Sequence, residues 1–367
     1  MMKNLSMIAI LALGLGASTL ALADHHASSE HQGTQIKYVG YSELGNPAEV
    51  LEVKTEALRA LNSGEVRVKV LAAPINPSDL LQIAGKYGVA PVLPARPGSE
   101  GVGRVTEVSA EVQSLQVGQL VLLASGGTWA EELVAPAAGF LPLPNLGPLD
   151  ASMIEQLAMS AVNPLTALLM LNSFADIKEG QWIVQSAANS AVGGYVIQLA
   201  KQRGIKTVNV VRREGLADDL MAKGADVVLI DGPDLAAQIA AATDNASIML
   251  ALDPVGGSTY SRLADSLGYG GTLVAYGVLS GQPATLNTGK VIFNDTRLRG
   301  FWLYKWYQTA TMQEKQAAFG QIIPLIASGK LKADVDSRFT VDQINQAVTR
   351  AAERGRNGKV LIVPSLL

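Results

Sequence analysis

The chain has 367 residues, of which 48% are hydrophobic and 17% charged, and a formal net charge of −3. Length and composition suit two α/β domains with real cores and exclude a disordered chain; the mild acidity, with no basic stripe, excludes a nucleic-acid footprint. Cysteine is absent, which removes disulfides, thiolate nucleophiles and thiolate–zinc sites together.

In chain order, residues 1–23 have the make-up of an export signal. Lys3 supplies a positive start, residues 8–22 are apolar, and Ala21-Leu22-Ala23 forms an A-x-A cleavage site before Asp24. The apolar run is shorter than the roughly 18–20 residues of a spanning helix. Neither a twin arginine nor a lipobox cysteine is present. The expectation is secretion to the periplasm, cleavage after Ala23 and no stable membrane association afterwards; a leader that does not function would leave the protein cytoplasmic. Residues 24–33 read as a polar linker that holds all three histidines, His25, His26 and His31. A fold beginning near Thr34 therefore has neither histidine nor cysteine, which excludes a Ser-His-Asp triad and leaves no ordinary ligand set for a catalytic metal.

Residues 34–157 read as a β-rich domain of short, turn-separated strands: "QIKYVGY", "VLEVKTEAL", "EVRVKVLAAPI", "GVGRVTEVS", "QLVLLA" and "EELVA". Residues 158–299 alternate apolar strands with helical patterns, the signature of a doubly wound parallel sheet covered on both faces. The strands are "WIVQSA", "TVNVVR", "DVVLID", "IMLALDPV" and "GTLVAYGV". From 300 to 367 the pattern breaks into a strand, two helices and "GKVLIVP", a closing strand expected to return to the first domain.

The segment "WIVQSAANSAVGGYVIQLAKQRGIKTVNVVRREG" has the strand–turn–helix–strand shape of a dinucleotide site. Its glycine fingerprint is thin, since Gly193 and Gly194 remain while Ala191 stands where a glycine is usual; close helix–sheet packing would explain the same residues. The next strand end decides the reading. An NAD site places an acid there, whereas this chain has Arg212 and Arg213, whose guanidinium groups match a 2′-phosphate. The expected cofactor is NADPH. Gly277 in "VAYGV" allows close backbone approach at a late strand end, and Asn163 in "VNPLTA" serves either as a cofactor contact or as a helix N-cap.

The motifs "INPSD" with "GKYG", "AANSAVG", "NVVRRE" and "LRGFWLYKW" together resemble the zinc-free medium-chain reductases, and most of all the mitochondrial-type 2-enoyl thioester reductases. The resemblance runs from about Thr34 to the C-terminus. It implies an α/β fold with a GroES-like β-rich catalytic domain, a Rossmann-type cofactor domain, NADPH as cofactor and a homodimer. Zinc-dependent relatives carry a cysteine near the Asn76–Asp79 turn and a histidine where Ser99 stands; both are missing here. In their place Tyr87 matches the family's proton-donating tyrosine. Asn163 matches an NADPH contact, and Asn189, Ser190, Ala191, Val192 and Gly193 match the phosphate turn. Arg212 and Arg213 match the 2′-phosphate clamp, with Glu214 standing where the family often has a further arginine. Tyr276, Gly277, Val278 and Leu279 match the strand end beside the cofactor, Phe301, Trp302 and Leu303 the nicotinamide-side wall, and Lys359 a late cofactor contact. Trp302 and Trp306 fit an acyl channel or a plain domain interface. The implied activity is NADPH-dependent reduction of enoyl thioesters. An NADPH:quinone reductase on the same fold and a non-catalytic exported protein that retains it are the alternatives.

Overall fold

A computed structural model describes residues 33–365, so the leader and most of the linker lie outside the described residues. β1 (Gln35–Gly40) and β2 (Glu52–Ala57) form an antiparallel pair joined through the short α1 (Pro47–Val50). β3 (Glu65–Pro74) is the long strand of the first domain, and α2 (Pro77–Ile83) leaves directly from its end. β3 pairs antiparallel with β4 (Val102–Val108), which continues to β5 (Leu120–Leu123). β6 (Glu132–Pro136) also pairs with β3, and β7 (Phe140–Pro142) pairs with β5.

α3 (Ala151–Ala158) and α4 (Asn163–Ser173) lead into the second domain. There β8 (Trp182–Gln185), α5 (Ala191–Gln202), β9 (Lys206–Val211), α6 (Ala217–Lys223) and β10 (Val227–Ile230) make the first half of a parallel sheet. α7 (Leu235–Ala242), β11 (Leu250–Asp253), α8 (Gly257–Asp265), β12 (Thr272–Ala275), α9 (Thr288–Phe293) and β13 (Arg297–Gly300) make the second. The strand order is β10-β9-β8-β11-β12-β13, which reverses direction between β8 and β11. Ligands of doubly wound sheets bind outside the strand ends at that reversal.

The chain then runs through α10 (Leu303–Thr309), α11 (Met312–Ala327), β14 (Val335–Phe339), α12 (Ile344–Ala352) and β15 (Lys359–Ile362). β15 lies antiparallel to β3 and parallel to β14, so the last strand completes the first domain's sheet. The sequence pattern showed two helices here, whereas the structure has three, and it hid β14 altogether. That strand is short, lies at a sheet edge and reads "VDSRF". Its polar residues are held by ion pairs, Asp336 with Arg350 and Arg338 with Glu155, rather than by an apolar face.

α4 positions the site. It is buried at every residue from Asn163 to Leu171, so it shows no one-sided apolar stripe, as expected of a helix enclosed on all sides. Pro164 sets its start, where the missing N–H costs nothing. Its side chains share one core with α3, α5 and α11. Among the described residues no single helix is long and apolar enough to cross a membrane; α3 and α4 together have the length and composition, but they bend by 50° and form this core.

Candidate active site

The stretch "INPSDLLQIAGKYG" becomes the end of β3, a turn, α2 and a glycine-bounded loop. Pro77 opens α2 with its fixed φ, and the Asp79 carboxylate accepts the Asn76 backbone N–H at 2.8 Å. Gly85 ends the helix at φ +68, a left-handed conformation that suits glycine. Tyr87 follows two residues later and is half-buried. Its hydroxyl accepts a hydrogen bond of 2.8 Å from the Trp302 indole N–H, and the two rings meet edge to face at 5.8 Å. Trp302 comes from the segment between β13 and α10 and is tilted against Tyr304 at 5.1 Å. Gly88 packs against the indole ring, where an added Cβ would lie 3.1 Å from it and press the ring aside. Burial pushes the Tyr87 hydroxyl above its ordinary pKa, and the bond from Trp302 opposes that rise.

At the start of α2 lies a buried polar cluster in which sequence reasoning named Asn163 and Lys359 but missed Asn76 and Glu100. Glu100, fully buried, accepts the backbone N–H groups of Ala161 and Val162 at 2.9 and 2.8 Å, and the Asn76 side-chain amide at 2.9 Å. Asn76 Oδ1 in turn accepts from Lys359 Nζ at 2.5 Å and from Asn163 Nδ2 at 3.0 Å. Four segments far apart in sequence thus meet, and the cluster fastens the first domain's turn to the start of α4. Burial raises the Glu100 and Asp79 carboxyls, Asp79 to about 6, and pulls Lys359 down; the lysine charge opposes the rise at both acids. The acid of "PGSEG" in apolar surroundings was the only local trace of this cluster. Asn163 is not an N-cap: Val162 holds that position, and the Asn163 amide is turned toward Asn76. Lys359 sits 5% exposed in the same cluster.

The dinucleotide turn folds as its small residues require. After β8 the chain passes Ala187 at φ +47, a conformation that costs a non-glycine residue about 1–2 kcal/mol. Ser190 caps α5 by accepting the Gly193 N–H at 3.1 Å, and Ser190 N–H donates to Ala187 O at 2.9 Å. Gly193 cannot carry a side chain, because its Cβ would lie 2.4 Å from Ala188 O. Ala191 and Val192 therefore begin α5 with backbone N–H groups that lack an intrahelical acceptor, at the positive end of its dipole. Asn189 is exposed beside them.

Arg212 and Arg213 are exposed just past the end of β9, next to Glu214, and neither has a hydrogen bond or ion pair among the described residues. Arg213 lies against the turn at Gly355, its Nη1 4.0 Å from where a Cβ there would sit. At the end of β12, Gly277 packs on Pro254 too closely for a side chain, and the enclosed Tyr276 hydroxyl has no hydrogen-bond partner among the described residues. A free helix N-terminus, two unpaired guanidinium groups at the adjacent strand end and an enclosed, unpartnered hydroxyl at the end of β12 fit a phosphorylated dinucleotide.

The remaining candidates divide. Val278 and Leu279 are 71% and 60% exposed, beyond the strand end. Phe301 meets Phe174 of α4's C-terminus edge to face at 6.1 Å, and with Leu303 and Trp306 it packs on the core rather than standing free. Of Phe301, Trp302 and Leu303, Trp302 is the one that hydrogen-bonds Tyr87. Among the described residues no group of three or more His, Cys, Asp or Glu side chains is placed to hold a metal ion.

Comparison with known proteins agrees with this architecture. Residues 62–145 match the alcohol dehydrogenase GroES-like domain, and residues 191–318 match the zinc-binding dehydrogenase family. The mitochondrial enoyl-[acyl-carrier-protein] reductase of Homo sapiens is 36% identical over 338 residues, covering 89% of this chain and 88% of that protein. The Caenorhabditis elegans enzyme is 40% identical over 307 residues, covering 81% and 86%. Among solved structures, the mitochondrial 2-enoyl thioester reductase Etr1p/Etr2p heterodimer from Candida tropicalis superposes with a TM-score of 0.81 at 29% identity, covering 90% of this chain and all of that one. A Bacillus thuringiensis protein named as an NADPH:quinone reductase gives 0.81 at 28% identity, covering 90% and 99%. The chain belongs to the medium-chain dehydrogenase/reductase family, in the branch of the mitochondrial-type enoyl thioester reductases.

Proposed function

We propose that this protein is an NADPH-dependent reductase of α,β-unsaturated thioesters. The observation that carries the reading is the Tyr87 hydroxyl held by the Trp302 indole N–H, in a fold with no histidine or cysteine to share its task. Asn163, the 189–193 turn, Arg212, Arg213 and the 276–279 strand end would hold NADPH, which when bound supplies a hydride to Cβ of the substrate. The double-bond electrons then move onto the thioester oxygen, which needs a hydrogen-bond donor, and Cα needs a proton. Because the indole N–H occupies a lone pair of the Tyr87 oxygen, the hydroxyl proton remains free to be donated. Tyr87 stabilises the developing anion with that bond and then transfers the proton to Cα, becoming a tyrosinate that solvent reprotonates.

A solved structure of Etr1p contains NADP and crotonyl-CoA, which supports the thioester reading. The Bacillus protein keeps quinone reduction in play. Following NADPH oxidation with crotonyl thioester and with a quinone separates the two. The expected result is turnover of the thioester with far weaker quinone reduction; the opposite order would replace the first reading with the second.

The molecule is proposed to act as a homodimer. β13 ends the six-stranded sheet with all its residues exposed, and nearby Ile292 and Phe293 are 66% and 79% exposed. A second copy would cover this edge and its apolar neighbours. Light scattering should give twice the mass of one chain, and Phe293→Asp should lower it to one; a monomeric parent protein would refute the assignment.

Export remains a proposal resting on residues 1–23. In the native host the mature chain should begin at Asp24 and fractionate with the periplasm. N-terminal sequencing that finds Met1 or Met2 on cytosolic protein would place the enzyme with the cytoplasmic NADPH pool instead.

A further inference from the structure

Each polar group in the buried cluster at the start of α2 has its hydrogen-bonding direction fixed by its neighbours. The Glu100 carboxylate only accepts, and all three of its bonds are received from N–H groups. The Lys359 ammonium only donates. Asn76 lies between them, and its amide can satisfy both in one orientation alone: Nδ2 toward Glu100, Oδ1 toward Lys359. That choice passes to Asn163, which must give its Nδ2 to Asn76 Oδ1. The Asn163 carbonyl Oδ1 is then the end left over, and no donor among the described residues reaches it.

We propose that Glu100 and Asn76 are positioning residues that set the polarity of the Asn163 amide, so that Asn163 offers an acceptor to a hydroxyl or amide N–H donor on bound NADPH. The inference rests on the cofactor reading above. A flipped Asn163 would present its N–H₂ to the same donor, replacing an attraction with a clash. Glu100 acts at a distance, through two amides, and without touching the ligand.

Glu100→Gln reverses the chain of choices. The glutamine oxygen keeps the two backbone N–H groups, so its amide nitrogen faces Asn76 and forces that side chain to turn. Asn76→Asp does the opposite: it accepts from both Lys359 and Asn163 and leaves Asn163 unturned, although it sets a carboxylate against Glu100. The test is NADPH affinity by fluorescence titration, together with the unfolding temperature of the cofactor-free protein. Both variants should lower the unfolding temperature. Only Glu100→Gln should weaken NADPH binding, by about tenfold. Combining it with Asn163→Leu should weaken binding no further than Asn163→Leu alone, because the two act through one contact. Unchanged NADPH affinity in Glu100→Gln, additive losses in the double variant, or a tenfold loss in Asn76→Asp would each overturn the inference. A tenfold loss in Asn76→Asp overturns the inference even if Glu100→Gln does not fold. Failure of the parent protein to bind NADPH would instead refute the cofactor reading.

Discussion

Tyr87→Phe is expected to fold, to bind NADPH, and to reduce an enoyl thioester roughly 10²–10⁴-fold more slowly, the usual worth of a positioned general acid. The substitution keeps the ring that meets Trp302 edge to face and removes one oxygen. Only one hydrogen bond is lost from the folded protein, and Trp302 is 39% exposed, so its indole N–H can turn to water. The stability cost is therefore about 1 kcal/mol or less. Burial holds the hydroxyl above its ordinary pKa of about 10, so the donor keeps its proton throughout the neutral range. A quinone accepts electrons onto a delocalised oxygen anion and can be protonated by water, so quinone reduction should fall much less. Measuring kcat and KM with both acceptors distinguishes loss of the acid from loss of binding. Thioester turnover equal to that of the parent would mean that another group supplies the proton.

The two-domain plan could be read from periodicity because its strands announce themselves. "TVNVVR" and "GTLVAYGV" are apolar runs enclosed on both faces, and the turns between them are built from glycine, serine and asparagine. The arginine pair could be picked out because it follows a dinucleotide-type turn at a strand end, whereas Tyr87 was picked out only through the family resemblance. What stayed hidden depends on contacts that no local pattern encodes. Trp302 lies 215 residues from Tyr87 and reaches it only because β13 ends beside the first domain's loop. Asn76 gathers Glu100, Asn163 and Lys359 across 24, 87 and 283 residues. Buried acids and lysines of this kind look like surface residues in a sequence, since burial alone does not change their spacing. β14 was hidden because ion pairs, and not an apolar face, hold it in place.

In the proposed mechanism these contacts let a fold shared with zinc enzymes work with other residues. The Asn76–Asp79 turn and Ser99 stand where the family resemblance puts the cysteine and histidine of zinc-dependent relatives, and here the Asp79 carboxylate instead accepts the Asn76 backbone N–H. That bond and the Glu100 cluster lie at the N-terminal end of α2, the helix that leads to Tyr87. In the proposed mechanism the indole N–H orients a single hydroxyl for the task that a bound metal performs in the zinc enzymes.

Removing both guanidinium groups tests the other half of the site. The parent protein is expected to bind NADPH at least tenfold more tightly than NADH, a difference of about 1.4 kcal/mol or more. The two arginines are exposed and unpaired among the described residues, so their charge is not already spent on a carboxylate. A 2′-phosphate arriving there gains charge-assisted bonds without breaking existing ones, whereas a 2′-hydroxyl gains little. The Arg212→Ala, Arg213→Ala double variant should lose the preference and leave NADH binding nearly unchanged. Its stability should move by no more than about 0.5 kcal/mol, as for other exposed residues with no partner. Because the contact is solvent-exposed, the parent's preference should also shrink as salt rises, while the variant's affinities should respond less. Equal affinity of the parent for the two cofactors would refute the clamp, and a retained preference in the double variant would move the phosphate to another basic group, with Arg354 of the adjoining turn the first to test.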